Sequence, residues 1–148
     1  VSAAMEGALA GVRSIAMSQV MRQERPASGD RFHAARNWGA RVIQPLLDAP
    51  HEPRTLVSVN FPALDAEQVQ GMRVVRQGFH DYARASIVEA RDPRGQRYYW
   101  FGLDAIEHTP DHGTDLEAIA EDHISITPLQ LDLTHHASLG VLADRFKG

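Results

Sequence analysis

The chain has 148 residues, 43% of them hydrophobic and 23% charged, with a formal net charge of −4. That composition fits one globular domain or a part of a larger one, and it supplies no overall basic field to draw the chain to nucleic acid or anionic membrane. Cysteine is absent, which removes disulfides, thiolate metal sites and cysteine nucleophiles together and suits a reducing compartment, and no apolar run approaches the roughly 18 residues of a membrane span.

Val1, Met5, Ala8, Leu9 and Val12 recur at helical spacing, and Gly11 supplies the left-handed stop that follows a last turn. This helix has an end but no clear beginning, since Ser2 can cap it only if it starts at Ala3. Residues 14–18, SIAMS, read as a short buried strand. Asp30 is placed to cap a second helix with the apolar stripe Ala35, Gly39, Val42, Ile43 and Leu46; Pro45, lacking a backbone donor, is expected to kink it or end it as a looser turn. Leu56, Val57 and Val59 then mark another buried strand, halted by Pro62. Helix, strand, helix, strand is the rhythm of a parallel sheet with crossover helices.

After Gly71 the pattern changes to alternating strands joined at Asp92-Pro93-Arg94-Gly95, a β-hairpin in which proline presets the turn and glycine takes the position needing freedom. Tyr98, Tyr99, Trp100 and Phe101 stand in a row, so aromatic rings must occupy both faces of the hairpin, one of them available to a partner. An irregular loop rich in histidine and acid follows. Thr114 and Glu117 have capping-box spacing for a short helix, Ile124 and Ile126 mark a strand, and Leu139, Leu142, Ala143 and Phe146 line one side of a last helix after Thr134.

Three constellations carry potential chemistry. His108, Asp111, His112 and Asp115 include usual ligand types for zinc or manganese, but Pro110 breaks any common helical face and the spacing matches no metal motif, which favours a solvated loop. Asp132 and His136 stand four apart, so the carboxylate can hold the imidazole; without a nucleophile the pair reads as a structural hinge before the last helix. The aromatic run with Arg84, Arg91, Arg94 and Arg97 looks like a stacking platform for single strands, yet Glu89 and Asp92 dilute it, which favours a subunit contact. There is no phosphate-cradling glycine loop, no GxSxG and no HExxH.

Taken in order, VSAAMEG, RSIAMSQ, SVNFP, GMRVVRQG, DPRGQRYYWFG, GTDLEAIAEDHISITPL and LDLT resemble the second half of the SurE (stationary-phase survival protein) family of metal-dependent 5'/3'-nucleotidases. Two departures are visible: Asp122 and His123 stand where the family commonly has Gly-Tyr, and Ser58 where it often has Asn. The resemblance implies an α/β fold, the C-terminal part of a Rossmann-like three-layer α/β/α domain with a protruding β-hairpin arm and a C-terminal helix. Residues 1–70 are then the second half of the Rossmann-like domain, 71–113 the arm, 114–133 a return to the core and 134–148 a C-terminal helix able to swap between subunits. It also implies a Mg²⁺ or Mn²⁺ ion whose ligands lie upstream of Val1, no metal ligand and no catalytic residue in this chain, and a nucleoside monophosphate substrate.

On that reading Val1 and Ser2 form the helix N-terminus next to the phosphate, and Asn60, Thr114 and Asp115 are weaker pocket candidates. Asp132, His136, Tyr98, Tyr99 and Trp100 serve hinge and interface in a homodimer or homotetramer. A cytoplasmic setting is expected, with no nucleic-acid polymer and no membrane as partner.

Overall fold

A computed structural model describes residues 1–21, 26–79, 85–103 and 113–147. In chain order the elements are α1 (Ser2–Leu9), β1 (Ser14–Gln19), α2 (His33–Asp48), β2 (Thr55–Phe61), β3 (Gly71–Val74), β4 (Ala85–Arg91), β5 (Arg97–Leu103), α3 (Asp115–Ala120), β6 (His123–Gln130) and α4 (His136–Arg145).

Helix α1 ends as its glycine dictates. Gly11 has φ +78°, and its N–H and that of Val12 donate to the carbonyls of Ala8 and Gly7 at 3.2 and 2.9 Å, closing a Schellman turn that sends the chain back into β1. The helix is applied through its small residues: Ala8 is buried, and a Cβ on Gly7 would lie 2.5 Å from Ser14 Oγ. The stripe of Val1, Met5, Leu9 and Val12 faces outward.

The main sheet has the order β1-β2-β6-β3. The expected parallel rhythm holds for β1 with β2, but β6 enters between β2 and β3 antiparallel to β2 and parallel to β3, so the sheet is mixed. Strand β1 is an edge strand rather than a buried one, because none of its six residues is fully buried and Met17 is 42% exposed. Residues 71–74, grouped above with the arm, belong to this sheet as β3.

Alternation along the strands sorts the two faces. Val57, Val59, Phe61, Ile124, Ile126 and Ile15 form one core with Ala34, Trp38, Val42 and Leu46 of α2. Ser18, Ser58, Asn60, Ser125 and Thr127 share the other face, where α1 contacts β1 and β2 while α3 contacts β6 and β2. Helices on both faces of one sheet make three layers.

Helix α2 differs from expectation at its start. Asp30 receives the Phe32 N–H at 2.9 Å and pairs with Arg36 at 3.1 Å, holding the turn ahead of the helix rather than its first residue. At the other end α2 continues past Pro45 to Asp48, and Arg13 Nη1 caps its last carbonyls, donating to Leu46, Leu47 and Ala49 at 2.5, 2.9 and 2.8 Å. A cation there also balances the negative end of the helix dipole.

The hairpin β4–β5 forms a separate two-stranded sheet. Its turn closes as the sequence requires, with Gly95 N–H donating to Asp92 O at 2.9 Å, Gly95 at φ +81°, and Asp92 Oδ1 accepting from the N–H groups of Arg94 and Gln96 at 2.9 and 2.8 Å.

Candidate functional site

In open α/β sheets, ligands gather beyond the carboxyl ends of the parallel strands. Here that edge is marked by Ser18 at the end of β1 and Asn60 at the end of β2, which are register partners, with Ser125 of β6 opposite Asn60. Ser18 Oγ donates to Asn60 Oδ1 at 2.5 Å, and Asn60 Nδ2 donates to Ser125 Oγ at 3.2 Å. The amide of Asn60 is therefore fixed from both sides, with Ser125 fully buried behind it. One turn deeper on this face Thr127 Oγ1 is buried with no hydrogen-bond partner among the described residues.

Helix α1 meets the start of β1 at the Gly7–Ser14 contact. At 1.5 Å per residue its start lies about 9 Å along the helix axis from that contact. Val1 is the N-cap residue, with no side-chain cap and no acidic residue in the first turn. The first-turn N–H groups, Ser2 among them, have no intrahelical acceptor, and with the positive helix end they suit an anion.

Thr114 and Asp115 are engaged elsewhere. Thr114 Oγ1 accepts the Glu117 N–H at 3.3 Å, as the capping-box spacing requires, while Glu117 Oε2 reaches one residue further back to take the Gly113 N–H at 2.7 Å. Asp115 Oδ1 accepts the N–H groups of Gly78 and Leu116 at 2.7 and 2.9 Å, fastening the segment after β3 to the start of α3. A Cβ on Gly78 would meet Leu116 Cδ1 at 2.9 Å and Asp115 Oδ1 at 3.0 Å, so a larger residue there would push these side chains aside.

Asp132 and His136 do meet, Oδ2 to Nε2 at 3.3 Å, on the exposed approach to α4. Asp132 also accepts the Thr134 N–H at 2.8 Å; Thr134, through hydroxyl and backbone, and then His136 hold this carboxyl below the usual range. On the hairpin, Tyr98 and Trp100 share one face as an edge-on pair 5.9 Å apart, and Tyr99 with Phe101 takes the other. Trp100 is 63% and Phe101 68% exposed, so neither face is covered. Arg97 pairs with Glu89 at 3.6 Å and Arg91 turns to the Gly95 carbonyl at 3.3 Å, which spends two cations within the hairpin.

His108, Asp111 and His112, as well as Arg84, lie outside the described residues. Among the described residues no three His, Asp or Glu side chains group closely enough to hold a metal ion, Asn60 Oδ1 is occupied by Ser18, and Asp115 by backbone. These residues do not fit a divalent-ion site.

Ser18 and Ser125 were not singled out from the sequence. The signal available was period two: SIAMS, SVN and SIT each put small polar residues at alternating positions, marking one sheet face as polar.

The survival protein SurE family model matches residues 1–84. The chain is similar to a 5'-nucleotidase SurE of Erythrobacter litoralis, 62% identical over 146 residues that cover 99% of this chain and 57% of that protein. A 5'-nucleotidase SurE of Rhizorhabdus wittichii is 55% identical over 139 residues, covering 94% of this chain and 55% of its own length. The crystal structure of the SurE protein from Aquifex aeolicus superposes with a TM-score of 0.74 at 30% identity, over 98% of this chain and 56% of that one. The chain thus spans about half the length of the curated relatives it matches.

Proposed function

The chain belongs to the survival protein SurE family, and on that premise we propose that it forms the phosphate-facing helix, half of the sheet and the assembly elements of a 5'/3'-nucleotidase that hydrolyses nucleoside monophosphates. The observation carrying this reading is the fixing of Asn60 by Ser18 and Ser125 at the carboxyl ends of the parallel strands β1 and β2. Backbone N–H groups at Val1 and Ser2 would hold phosphate oxygens, with the helix dipole favouring the dianion over the neutral nucleoside product. Asn60, locked by its neighbours, would offer its second amide N–H to a substrate oxygen. Thr114 and Asp115 would shape the same edge indirectly, through the junction of β3 with α3.

The divalent cation, Mg²⁺ or Mn²⁺, would be held by residues upstream of Val1, as the family resemblance implies. The aromatic rows of the hairpin and the exposed apolar residues of α4 would bind sister chains in a homodimer or homotetramer, with Asp132 and His136 setting the angle of the last helix. No helix among the described residues is long and apolar enough to cross a membrane, and the cysteine-free composition supports a cytoplasmic setting.

The test is phosphate release from 5'-AMP with Mg²⁺ or Mn²⁺. The 148 residues alone should show none above background, and a version extended upstream should turn over; the reverse pattern would overturn the reading. Deleting residues 85–103 should lower the sedimentation coefficient by more than the lost mass explains, and an unchanged assembly state would remove the arm as an interface.

A further inference from the structure

At the opposite end of the sheet from Asn60 lies a cavity of about 420 Å³, within the size range of small-molecule sites. It opens where β1 and β2 begin and β6 ends, under the C-terminal turn of α2 and the connection into β2. Ile15, Leu46, Leu56, Val57 and Leu129 give it apolar walls. Arg13, His51 and Glu52 are among the residues that line the same space.

Arg13 commits one nitrogen, Nη1, to the carbonyls ending α2. Among the described residues no carboxylate lies within ion-pair reach of its guanidinium, and neither the His51 imidazole nor the Glu52 carboxylate has a hydrogen-bond partner. A positive and a negative group thus line one apolar cavity without pairing with each other.

A ligand matched to this arrangement carries both charges and an apolar side chain. One carboxylate can take the remaining Arg13 N–H groups, an ammonium can face Glu52, and the side chain can lie on the walls. A phosphate dianion is disfavoured, because the single guanidinium is opposed by Glu52. We infer that this cavity, formed by the Arg13-capped end of α2 and the opening ends of β1 and β2, binds a small apolar zwitterion of the amino-acid type. The inference stands independently of the nucleotidase reading.

The experiment is a titration of the ¹⁵N-labelled 148-residue chain with L-leucine, read from amide shifts. Four single probes run beside it: isovalerate, with only the negative charge; isopentylamine, with only the positive; inorganic phosphate; and L-leucine on the Glu52→Gln variant. Saturable shifts confined to residues 13–15, 46–57 and 128–130, at least about tenfold stronger for L-leucine than for either single-charge probe, are expected. Glu52→Gln, an exposed position whose side chain supports no described contact, should weaken L-leucine about tenfold while leaving the unliganded spectrum in place. Leu129→Trp, which fills the cavity, should abolish the shifts. No saturation by about 20 mM, equal response to all three organic probes, a response to phosphate at these residues, or indifference to Glu52→Gln would each overturn the proposal.

Discussion

On the α2 side of the sheet the strands present Val57, Val59, Phe61, Ile124 and Ile126; one position along the same strands, toward α1, they present Ser58, Asn60, Ser125 and Thr127. The first face is built for burial, with Phe61, Val59 and Ile124 fully enclosed, and each large side chain there contributes about 1.5–3 kcal/mol. The second face gives up that driving force for small polar groups, which let α1 approach closely and hold one amide in a fixed pose at the strand ends. Stability and shape are thus divided between the two surfaces of one sheet.

Truncation on the apolar face should have the largest effect. Phe61→Ala removes a fully buried ring and is expected to cost about 3–5 kcal/mol, read as a lowered urea midpoint; a loss under about 1 kcal/mol would mean the α2 face does not carry the fold. The polar face should respond in the opposite sense at its one unsatisfied group. Thr127→Val replaces a buried hydroxyl without a described partner by an apolar group of the same shape and should gain about 1 kcal/mol. A loss instead would show that a bound water or neighbour satisfies that oxygen.

Two further positions lie on the rim. Asp122 sits at φ +62° just before β6, a conformation that favours glycine, and Asp122→Gly should stabilise by about 0.5–1 kcal/mol in the same unfolding measurement. Asp65, after β2, accepts from the Ser28 hydroxyl and from the Ser28 N–H at 3.1 Å, and its carboxyl is held below the ordinary value, first by that hydroxyl, with His33 contributing. Because the folded value is lower than the unfolded one, the stabilisation is complete above the unfolded value of 3.8 and is lost as pH falls below it through the folded value. Ser28→Ala should flatten stability between pH 5 and that acid limb, and an unchanged acid profile would remove Asp65 as its source.

Much of the fold is legible where local rules act alone. Gly11 ends α1, Asp92 to Gly95 turn the hairpin, and Thr114 starts α3, each because a backbone angle or an orphan N–H admits few residue types. What escaped is set by distant partners. Helix α2 runs three residues past Pro45, and the carbonyls of its last turn are taken by Arg13, 33 positions before Leu46. The reversed direction of β6 leaves no trace in ISIT, since an enclosed strand has the same apolar pattern whichever way it runs. The resemblance directed attention to the start of α1, but Ser18 and Ser125 emerge only when register sets them on either side of Asn60.

That register has a folding consequence. Asn60 and Ser125 are neighbours in space and 65 positions apart in the chain, so β6 completes the sheet only after β3 and the whole hairpin have been laid out as a loop. The entropic penalty of such a closure grows only logarithmically, by about 0.6 kcal/mol for each doubling of length. Extending or trimming the excursion between β3 and α3 should therefore alter how fast the last strand arrives far more than how firmly it stays, which leaves this stretch open to reshaping while the sheet beneath it is preserved.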